Sequence, residues 1–521
     1  MAEGIGKTAN FHQSEVYFIL YSVPIGLLIL TIFLTLTLSH FRPHARAGGE
    51  GCKAPPSYPH IDPIFGLDSL FLCLRDLHRG NLMNHLDDTF KRIQGGVYTY
   101  STNFLGSRVI YTIEPENVKT IFATRYEDYG QSQTRKDALA IFGPGIFTLD
   151  GAQWQASRAL LRPNFVRSQI SDMSRLEVHV RQLIAKIPKN GEVVDLQPLF
   201  SELTMDSATE LMLGESTNLL SGTPRVEARR FMDAFTYACE EPSFRMGIGW
   251  LATLIPDPKF HRCIRDMKAF VNIFVRRAIA LQEIGKGTIT GVEDDGVVAR
   301  YVFLPHLARS RYDEKRIAAE LMAVIVAGGG TTSSLLTVLW FTLARRPDVF
   351  SKLRNEVLSS FGTKLPSFEE VKGLKYLNWT MREIQRLYPV IPVNSRITLK
   401  DTVLPVGGGN DGRSPIFLSK GARVLHFPYS MHRRKDIYGD DADKFRPERW
   451  ENLRTSWEYL PFSGGPRTCI GQQHALTEAL YTTVRLLQSF KDVQPGDSSM
   501  WAEKLVLSMS VRSGCNVKLT A

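Results

Sequence analysis

The sequence predicts one large, mainly α-helical domain with a smaller β lobe, preceded by a single N-terminal membrane-spanning helix. Three observations lead there. Residues Val16–Ser39 carry no charge. Most segments beyond residue 113 repeat their apolar side chains with helical period. Runs rich in β-branched and aromatic residues are confined to Val97–Ile113 and to short stretches near 396–425 and 505–519.

The uncharged run, VYFILYSVPIGLLILTIFLTLTLS, exceeds the roughly 20 apolar residues a helix needs to cross a bilayer. It is also longer than the ~7–15-residue core of a cleaved signal peptide, so it reads as a retained anchor. Arg42, Arg46 and Lys53 follow it, whereas only Lys7 precedes it, which places the body of the protein in the cytosol. Residues 1–15 are then a lumenal N-terminus, 16–39 the anchor and 40–60 a basic, Pro-rich linker. Within that linker Ala54–Pro59 reads as a stiff spacer. Residues 61–521 form the globular domain.

Inside that domain, Val97–Ile113 reads as a hairpin turning at Asn103–Ser107. Pro347 opens a helix in which Val349, Leu353 and Val357 share a face. Ser367 with Glu370 makes a capping box ahead of a helix running to Leu387. Leu476, Ala479, Leu480 and Leu487 line one side of a helix that follows Cys469.

Composition narrows the function classes. The chain has 521 residues, 43% hydrophobic and 22% charged, with no repeat and no long Gly/Ser linker, so one core large enough to enclose a cofactor is expected. The net charge of +10 is dispersed, without a Lys/Arg tract or zinc-finger spacing. It suits an anionic membrane surface or an acidic protein partner, and no nucleic acid partner is expected. The six cysteines form no C-x-x-C pair, which argues against a zinc site or a disulfide framework.

Chemistry concentrates in Phe462-Ser-Gly-Gly-Pro-Arg-Thr-Cys-Ile-Gly471. This is a glycine-rich turn delivering Cys469 to the start of a helix, where backbone amides and Arg467 would favour thiolate. Gly465 and Gly471 would let the backbone approach a flat ligand. Alone, Cys469 would read as a structural cysteine. The i, i+3 spacing of Glu383 and Arg386 puts their charges on one helix face.

Together these segments resemble the cytochrome P-450 superfamily. Phe462, Gly465, Arg467, Cys469 and Gly471 fill every fixed position of its F-x-x-G-x-R-x-C-x-G signature, and Glu383-Ile-Gln-Arg386 matches its E-x-x-R. Phe445-Arg-Pro-Glu-Arg-Trp450 is similar to the segment whose arginine, here Arg449, completes that pair's network. The resemblance implies a mostly α fold with a smaller β lobe, and haem b buried between two long helices with Cys469 as axial thiolate. It implies propionate contacts from Trp154, Arg158, Arg396 and Arg467. Ala327-Gly-Gly-Gly-Thr-Thr332 resembles the oxygen-binding A/G-G-x-D/E-T-T, but Gly330 stands where the acid is expected. Thr331, with Gly329 and Gly330, would then manage oxygen and protons without the usual carboxylate. Close approach to haem and oxygen is the reason expected for three successive helical glycines, each costing about 1 kcal/mol relative to alanine.

The implied reaction inserts one atom of O2 into an unactivated C–H bond. NADPH would supply electrons through a membrane-bound cytochrome P-450 reductase, with cytochrome b5 as a further donor, at the endoplasmic reticulum. Gly145–Gly151, Arg158–Pro163, Gly407–Gly412, His432–Tyr438 and Trp457–Pro461 look similar to the fungal branch that hydroxylates alkanes and fatty acids. His474, where that branch has Phe, and Gly330 depart from it. Ala327, Val390, Ile391, Val393 and Leu507 are the expected pocket residues, all apolar, which suits a fatty acid, an alkane or the aliphatic part of a fungal specialised metabolite. Two rivals remain open: a haem-thiolate isomerase, dehydratase or peroxygenase, suggested by the missing acid, and a non-catalytic membrane haem or lipid binder. NADPH- and O2-dependent turnover separates both from a monooxygenase.

Overall fold

A computed structural model describes residues 51–521, apart from 94–96, 140–141, 166–170, 284–302 and 311. The anticipated lumenal segment, the 16–39 anchor and residues 40–50 lie outside the described residues. The helices that matter for the site are α1 (Leu67–Arg79), α2 (Gly151–Leu161), α3 (Met173–Lys186), α4 (Leu196–Leu213), α5 (Val226–Ile248), α6 (Pro258–Glu283), α7 (Glu314–Ala344), α8 (Pro347–Phe361), α9 (Phe368–Gly373), α10 (Lys375–Leu387) and α11 (Gln472–Ser489). Helix α7 is the axis of the domain. Its 31 residues span about 46 Å at 1.5 Å each. It is apolar nearly all round, as a helix enclosed on every side must be. Its length and apolarity would suffice to cross a bilayer, but most of it is buried inside the protein.

Around α7 pack α4 on one side, α6 on another and α11 towards the cysteine loop. One core joins Leu183 of α3, Phe200 of α4, Trp340 of α7, Leu353 and Val357 of α8, and Leu480 and Leu487 of α11. A second joins Met205 of α4, Phe235 of α5, Val271 of α6 and Val324–Val326 of α7. The expected apolar faces of α8 and α11 are therefore the faces that bury.

The β lobe is a five-stranded sheet. It contains β1 (Thr99–Phe104), β2 (Ser107–Thr112), β3 (Tyr129–Gly130), and two strands from near residue 400. Between these in sequence falls β4 (Asn190–Asp195), and the later strands are β5 (Asn394–Thr398), β6 (Thr402–Gly408), β7 (Ser414–Leu418) and β8 (Arg423–His426). The spatial order is β1-β2-β8-β5-β3, with β2 and β8 parallel and the other neighbours antiparallel. The hairpin forms as expected: Leu105 and Gly106 both take positive φ, the geometry of a tight turn matched to strand twist. Near the C-terminus, β12 (Asn516–Thr520) pairs with β4 on one side and β9 (Asp492–Pro495) on the other, while β10 (Glu503–Leu505) and β11 (Met509–Val511) form a small hairpin.

Two local expectations need correction. The Ser367–Glu370 capping box is present, but it caps only α9; Leu374 turns extended after Gly373, and α10 starts separately. The Ala54–Pro59 segment is not a free spacer. It lies along the β1 edge, where Ser101 N donates to Pro56 O at 2.8 Å and Tyr58 N to Ser101 O at 2.7 Å. Proline suits such an edge because few amide donors face outward there.

Candidate active site

The cysteine loop is fixed by its own backbone. Cys469 N donates to Phe462 O at 2.9 Å, and the Thr468 hydroxyl donates to the same carbonyl at 3.3 Å. Gly465 has φ +67, and a Cβ there would fall 1.8 Å from Phe122 O, so only glycine fits. That reason differs from the expected one, because the close approach is to the protein's own backbone. Gly471 ends the loop as the N-cap of α11.

The Cys469 side chain is open to solvent-sized access, although dense surrounding protein pushes its thiol pKa up. Access within so enclosed a position marks an internal cleft. The Gly471 amide and then the Arg158 charge act in the opposite direction, favouring thiolate. Arg467 does not act on the thiol; Arg158 takes the part expected of it and donates to Thr468 O at 2.9 Å. Ile470, beside the thiol, packs into the core that holds Val324–Val326 and Leu507. The loop, α7 and the β10–β11 turn thus meet at one place.

On α7, Ala327, Gly328, Gly330 and Thr331 remain partly accessible, while the preceding stretch and Thr332 onward are buried. The helix continues unbroken through the glycines. Their neighbours are helices: a Cβ at 329 would meet the Met205 methyl at 2.6 Å, one at 328 the Ala208 Cβ at 3.3 Å, and one at 330 the Phe235 ring at 3.6 Å. Thr204 of α4 donates its hydroxyl to Gly329 O at 2.8 Å. Intimate packing of α4 therefore accounts for Gly328 and Gly329. Thr331 donates its hydroxyl to Ala327 O at 2.8 Å, leaving its oxygen lone pairs to accept.

A second group of residues forms a cationic cradle. Arg396 is buried, stacks on Phe122 and donates to Asn394 Oδ1 at 2.9 Å. Arg467 lies over the Trp154 ring at 4.3 Å and donates to Asp150 Oδ1 at 2.8 Å. Arg135, which the sequence reading missed, joins them through Asn394 and keeps a buried Nε without a partner among the described residues. Burial pushes the Arg135 guanidinium down to about 10 and Arg396 well below its ordinary value, and the neighbouring guanidiniums push the same way. Arg135, Lys136, Arg396 and Arg467 are opposed by Asp150, which also accepts from Lys136 at 3.1 Å. Such uncompensated buried charge calls for a multiply anionic group.

Behind the loop, Glu383 and Arg386 are fully buried and doubly bonded, Nε to Oε2 and Nη2 to Oε1, each at 2.9 Å. Arg449 Nε and Arg446 N also donate to Oε1, and Trp450 Nε1 to Oε2. Trp450 was a missed member, visible in sequence only as the neighbour of Arg449. Arg386 and Arg449 further donate to the carbonyls of His432, Ala442, Tyr438 and Asp441, tying the strand-to-loop segment down.

The expected pocket residues border three different cores. Val390 packs on the first, Leu507 on the second and Val393 on the sheet's core, while Ile391 is exposed. Met509 N donates to Val390 O, and Leu507 N to Cys239 O of α5, so the β10–β11 turn is pinned between α5 and the segment after α10.

A haem fits these residues: an accessible thiol in an enclosed place, a cradle of surplus cations for two propionates, and an apolar surround. The fold and the cysteine loop define a cytochrome P450. The chain belongs to that family, whose profile, described as Cytochrome P450, matches residues 66–510. It is accordingly a monooxygenase, similar in sequence to Cytochrome P450 monooxygenase fsdH of Fusarium heterosporum, 39% identical over 90% of this chain and 83% of that one. It is likewise similar to Cytochrome P450 52E1 of Candida apicola, 40% identical over 86% and 87% of the two chains. Cytochrome P450 52A4 of Candida maltosa is 38% identical over 88% of each. The family's cofactor is a haem iron held by a cysteine thiolate, and a redox partner supplies its electrons.

Proposed function

We propose that this chain is a membrane-anchored monooxygenase that hydroxylates, or further oxidises, an apolar aliphatic substrate. The observation that carries the reading is the accessible Cys469 thiol, whose neighbour Ile470 packs on the same apolar core as Val324–Val326, just before the partly open Ala327–Thr331 turn of α7. When bound, a haem b iron ligated by Cys469 supplies oxygen activation, because a thiolate donates electron density that favours O–O cleavage. Arg135, Arg396 and Arg467, with Trp154 beneath Arg467, hold the propionates. Arg158 sits beside the thiol and favours its charged form. Glu383, Arg386 and Arg449 keep the loop's support rigid. Ala327, Val390, Val393 and Leu507 would exclude water and favour hydrocarbon, whereas Ile391 is exposed. Thr331 holds a proton at Oγ1, now given to Ala327 O, and turns it towards the oxygen side when needed. The balance is RH + O2 + 2 e⁻ + 2 H⁺ giving ROH + H2O.

NADPH-cytochrome P-450 reductase is the proposed electron donor, with cytochrome b5 auxiliary, and the 16–39 segment anchors the chain in the endoplasmic reticulum with its body cytosolic. Similarity to the Candida proteins and the apolar surround support a fatty acid or alkane; similarity to the Fusarium protein supports the aliphatic part of a specialised metabolite. The test is Cys469→Ser, read as the red-shifted Soret band of the reduced carbon monoxide complex, beside NADPH- and O2-dependent product from lauric acid, dodecane and host metabolite extracts. Loss of the band with wild-type product formation supports the reading. A retained band, or product independent of O2, refutes it.

A further inference from the structure

The cationic cradle is rich in charge but short of free donors. Arg135, Lys136, Arg396 and Arg467 bring four positive charges against the single negative charge of Asp150, so two propionates still leave a surplus of one. Much of the hydrogen-bonding capacity is already committed to protein. Arg467 gives Nη1 and Nη2 to Leu149 O at 3.1 Å each, and Nη2 also to Asp150. Arg396 Nη1 is shared between Asn394 Oδ1 at 2.9 Å and Ser395 O at 2.7 Å. Two carboxylates together present about eight lone-pair sites. Donors without charge are what the cradle lacks.

Two such donors stand on the sheet beside Arg396. Asn394 and Arg396 lie two residues apart on β5 and so share a face. His426 of β8 pairs directly opposite Asn394, and Val424 opposite Arg396, which puts His426 on that same face. Side chains paired in this way have Cβ atoms roughly 4.5–5.5 Å apart. Phe122 packs against both neighbours: its ring takes the Arg396 guanidinium at 4.6 Å and meets the His426 ring edge-on at 5.8 Å.

Both side chains keep a nitrogen unused. Asn394 Oδ1 accepts from Arg135 at 3.3 Å and from Arg396, which fixes the orientation of the amide. Its Nδ2 therefore points away from the guanidiniums, and it has no partner among the described residues. His426 is only 4% exposed, and its Nδ1 is buried without a partner among the described residues. A native fold rarely leaves such a nitrogen unbonded. Burial and then the Arg396 charge push the imidazole down to about 3, so the ring is neutral. The Thr112 backbone pulls the other way but makes no hydrogen bond of normal geometry with Nδ1. The one ring hydrogen is thus free to sit on whichever nitrogen meets an acceptor.

We propose that Asn394 and His426 form a neutral donor pair that holds the haem propionate beside Arg396. The inference rests on the haem reading of the cradle. Asn394 gives an Nδ2 hydrogen, and His426 its ring hydrogen, to a carboxylate whose charge the arginines already balance. A cation at either position would add like charge to a cradle in surplus, whereas a neutral donor adds only the bond. The pair positions the cofactor and takes no part in the chemistry.

The test uses the full-length chain, loaded with haem or with haem whose propionates are methyl esters. Wild type is compared with His426→Phe, which keeps a ring beside Phe122, and His426→Gln, which restores a neutral N–H. The readouts are haem release to excess apomyoglobin and the propionate bending modes in the resonance Raman spectrum. With ordinary haem, His426→Phe should release roughly ten- to a hundredfold faster, the loss of one hydrogen bond to a charged group, and shift a propionate mode. His426→Gln should recover most of the wild-type rate and mode. With the ester, wild type and His426→Phe should release at similar rates, because the anion that the donors hold is gone. A general loosening of the sheet would keep the difference instead. Asn394→Asp keeps the oxygen that the arginines use but replaces the Nδ2 donor with a second oxygen. It too should release ordinary haem faster and lose that difference with the ester, which keeps the test open should His426→Phe fail to load. A rate difference that persists with the ester, or propionate modes identical in wild type and variants, overturns the pair. If wild type itself takes up no haem, the haem reading of the cradle fails, and the pair with it.

Discussion

Replacing Glu383 by Gln tests whether the buried network is the mechanical base of the cysteine loop. Glu383 accepts five N–H donors on two oxygens: two from Arg386, one each from Arg449 and Trp450, and the Arg446 amide. A carboxylate has about four lone-pair sites, so both oxygens are saturated. Glutamine keeps the shape but turns one oxygen into a donor facing donors, and it leaves two guanidiniums, Arg386 fully buried and Arg449 at 7% exposure, without that counter-charge. Breaking a buried pair on one side costs about 3–5 kcal/mol. That is a fifth or more of the ~5–15 kcal/mol that typically holds a domain. Chemical denaturation followed by tryptophan fluorescence and haem absorbance should show a midpoint shift of that size, with haem lost first. The control is Glu451→Gln, which breaks the pair with Lys375 whose side chains are 54% and 67% exposed, and should change stability by less than ~1 kcal/mol. If Glu383→Gln and Glu451→Gln behave alike, the network does not support the loop.

Gly465→Ala should abolish haem incorporation, since φ is +67 and the new Cβ would overlap Phe122 O; Gly471→Ala, whose nearest ring atom would be 3.7 Å away, should still load haem. Arg135→Leu should have opposite effects in the two forms: thermal melts should show the apo chain gaining stability as like charges separate, and the haem-loaded chain losing ~1.5–3 kcal/mol with a lost charged hydrogen bond. Glu478→Gln should stabilise the fold at high pH. The wild-type carboxyl is raised from 4.5 to about 7, so its contribution is intact below the first value and lost as pH rises through the second. Urea titrations at several pH values should show the variant ahead by up to ~3 kcal/mol above neutrality and by nothing at low pH.

What the sequence made legible shares one property: the partners are close along the chain. The cysteine loop is held by bonds between Phe462 and Cys469, and the Glu383–Arg386 pair by one helical turn, so short motifs contain the whole interaction. The Ser367–Glu370 box was readable for the same reason, but the end of its helix at Gly373 was not. Lys375 to Leu387 carries so consistent an apolar face that the break before it leaves no trace in the periodicity. Arg135 was invisible because the arginines it joins come from the β5 strand and the cysteine loop, far along the chain. Glu478 looks like an ordinary polar position on an amphipathic helix, and only the packing of α3 and α4 over it makes it buried.

The glycine run shows how a motif read as unusual can answer to a packing demand that its sequence does not show. Three glycines in a helix lose about 1 kcal/mol each to alanine, so something must offset the loss. Gly329 is filled by the Met205 methyl and held by the Thr204 hydroxyl, and Gly328 by Ala208; α4 packs on α7 at a distance that side chains there would forbid. Gly330 is different. Its nearest neighbour, the Phe235 ring at 3.6 Å, would accept a Cβ in ordinary contact, so sterics do not require glycine there. A carboxylate at 330 would instead point at an aromatic face in an apolar core, where an unpaired charge is costly. The absence of an acid at 330 and the presence of Phe235 therefore fit together: a charged side chain there would face the ring.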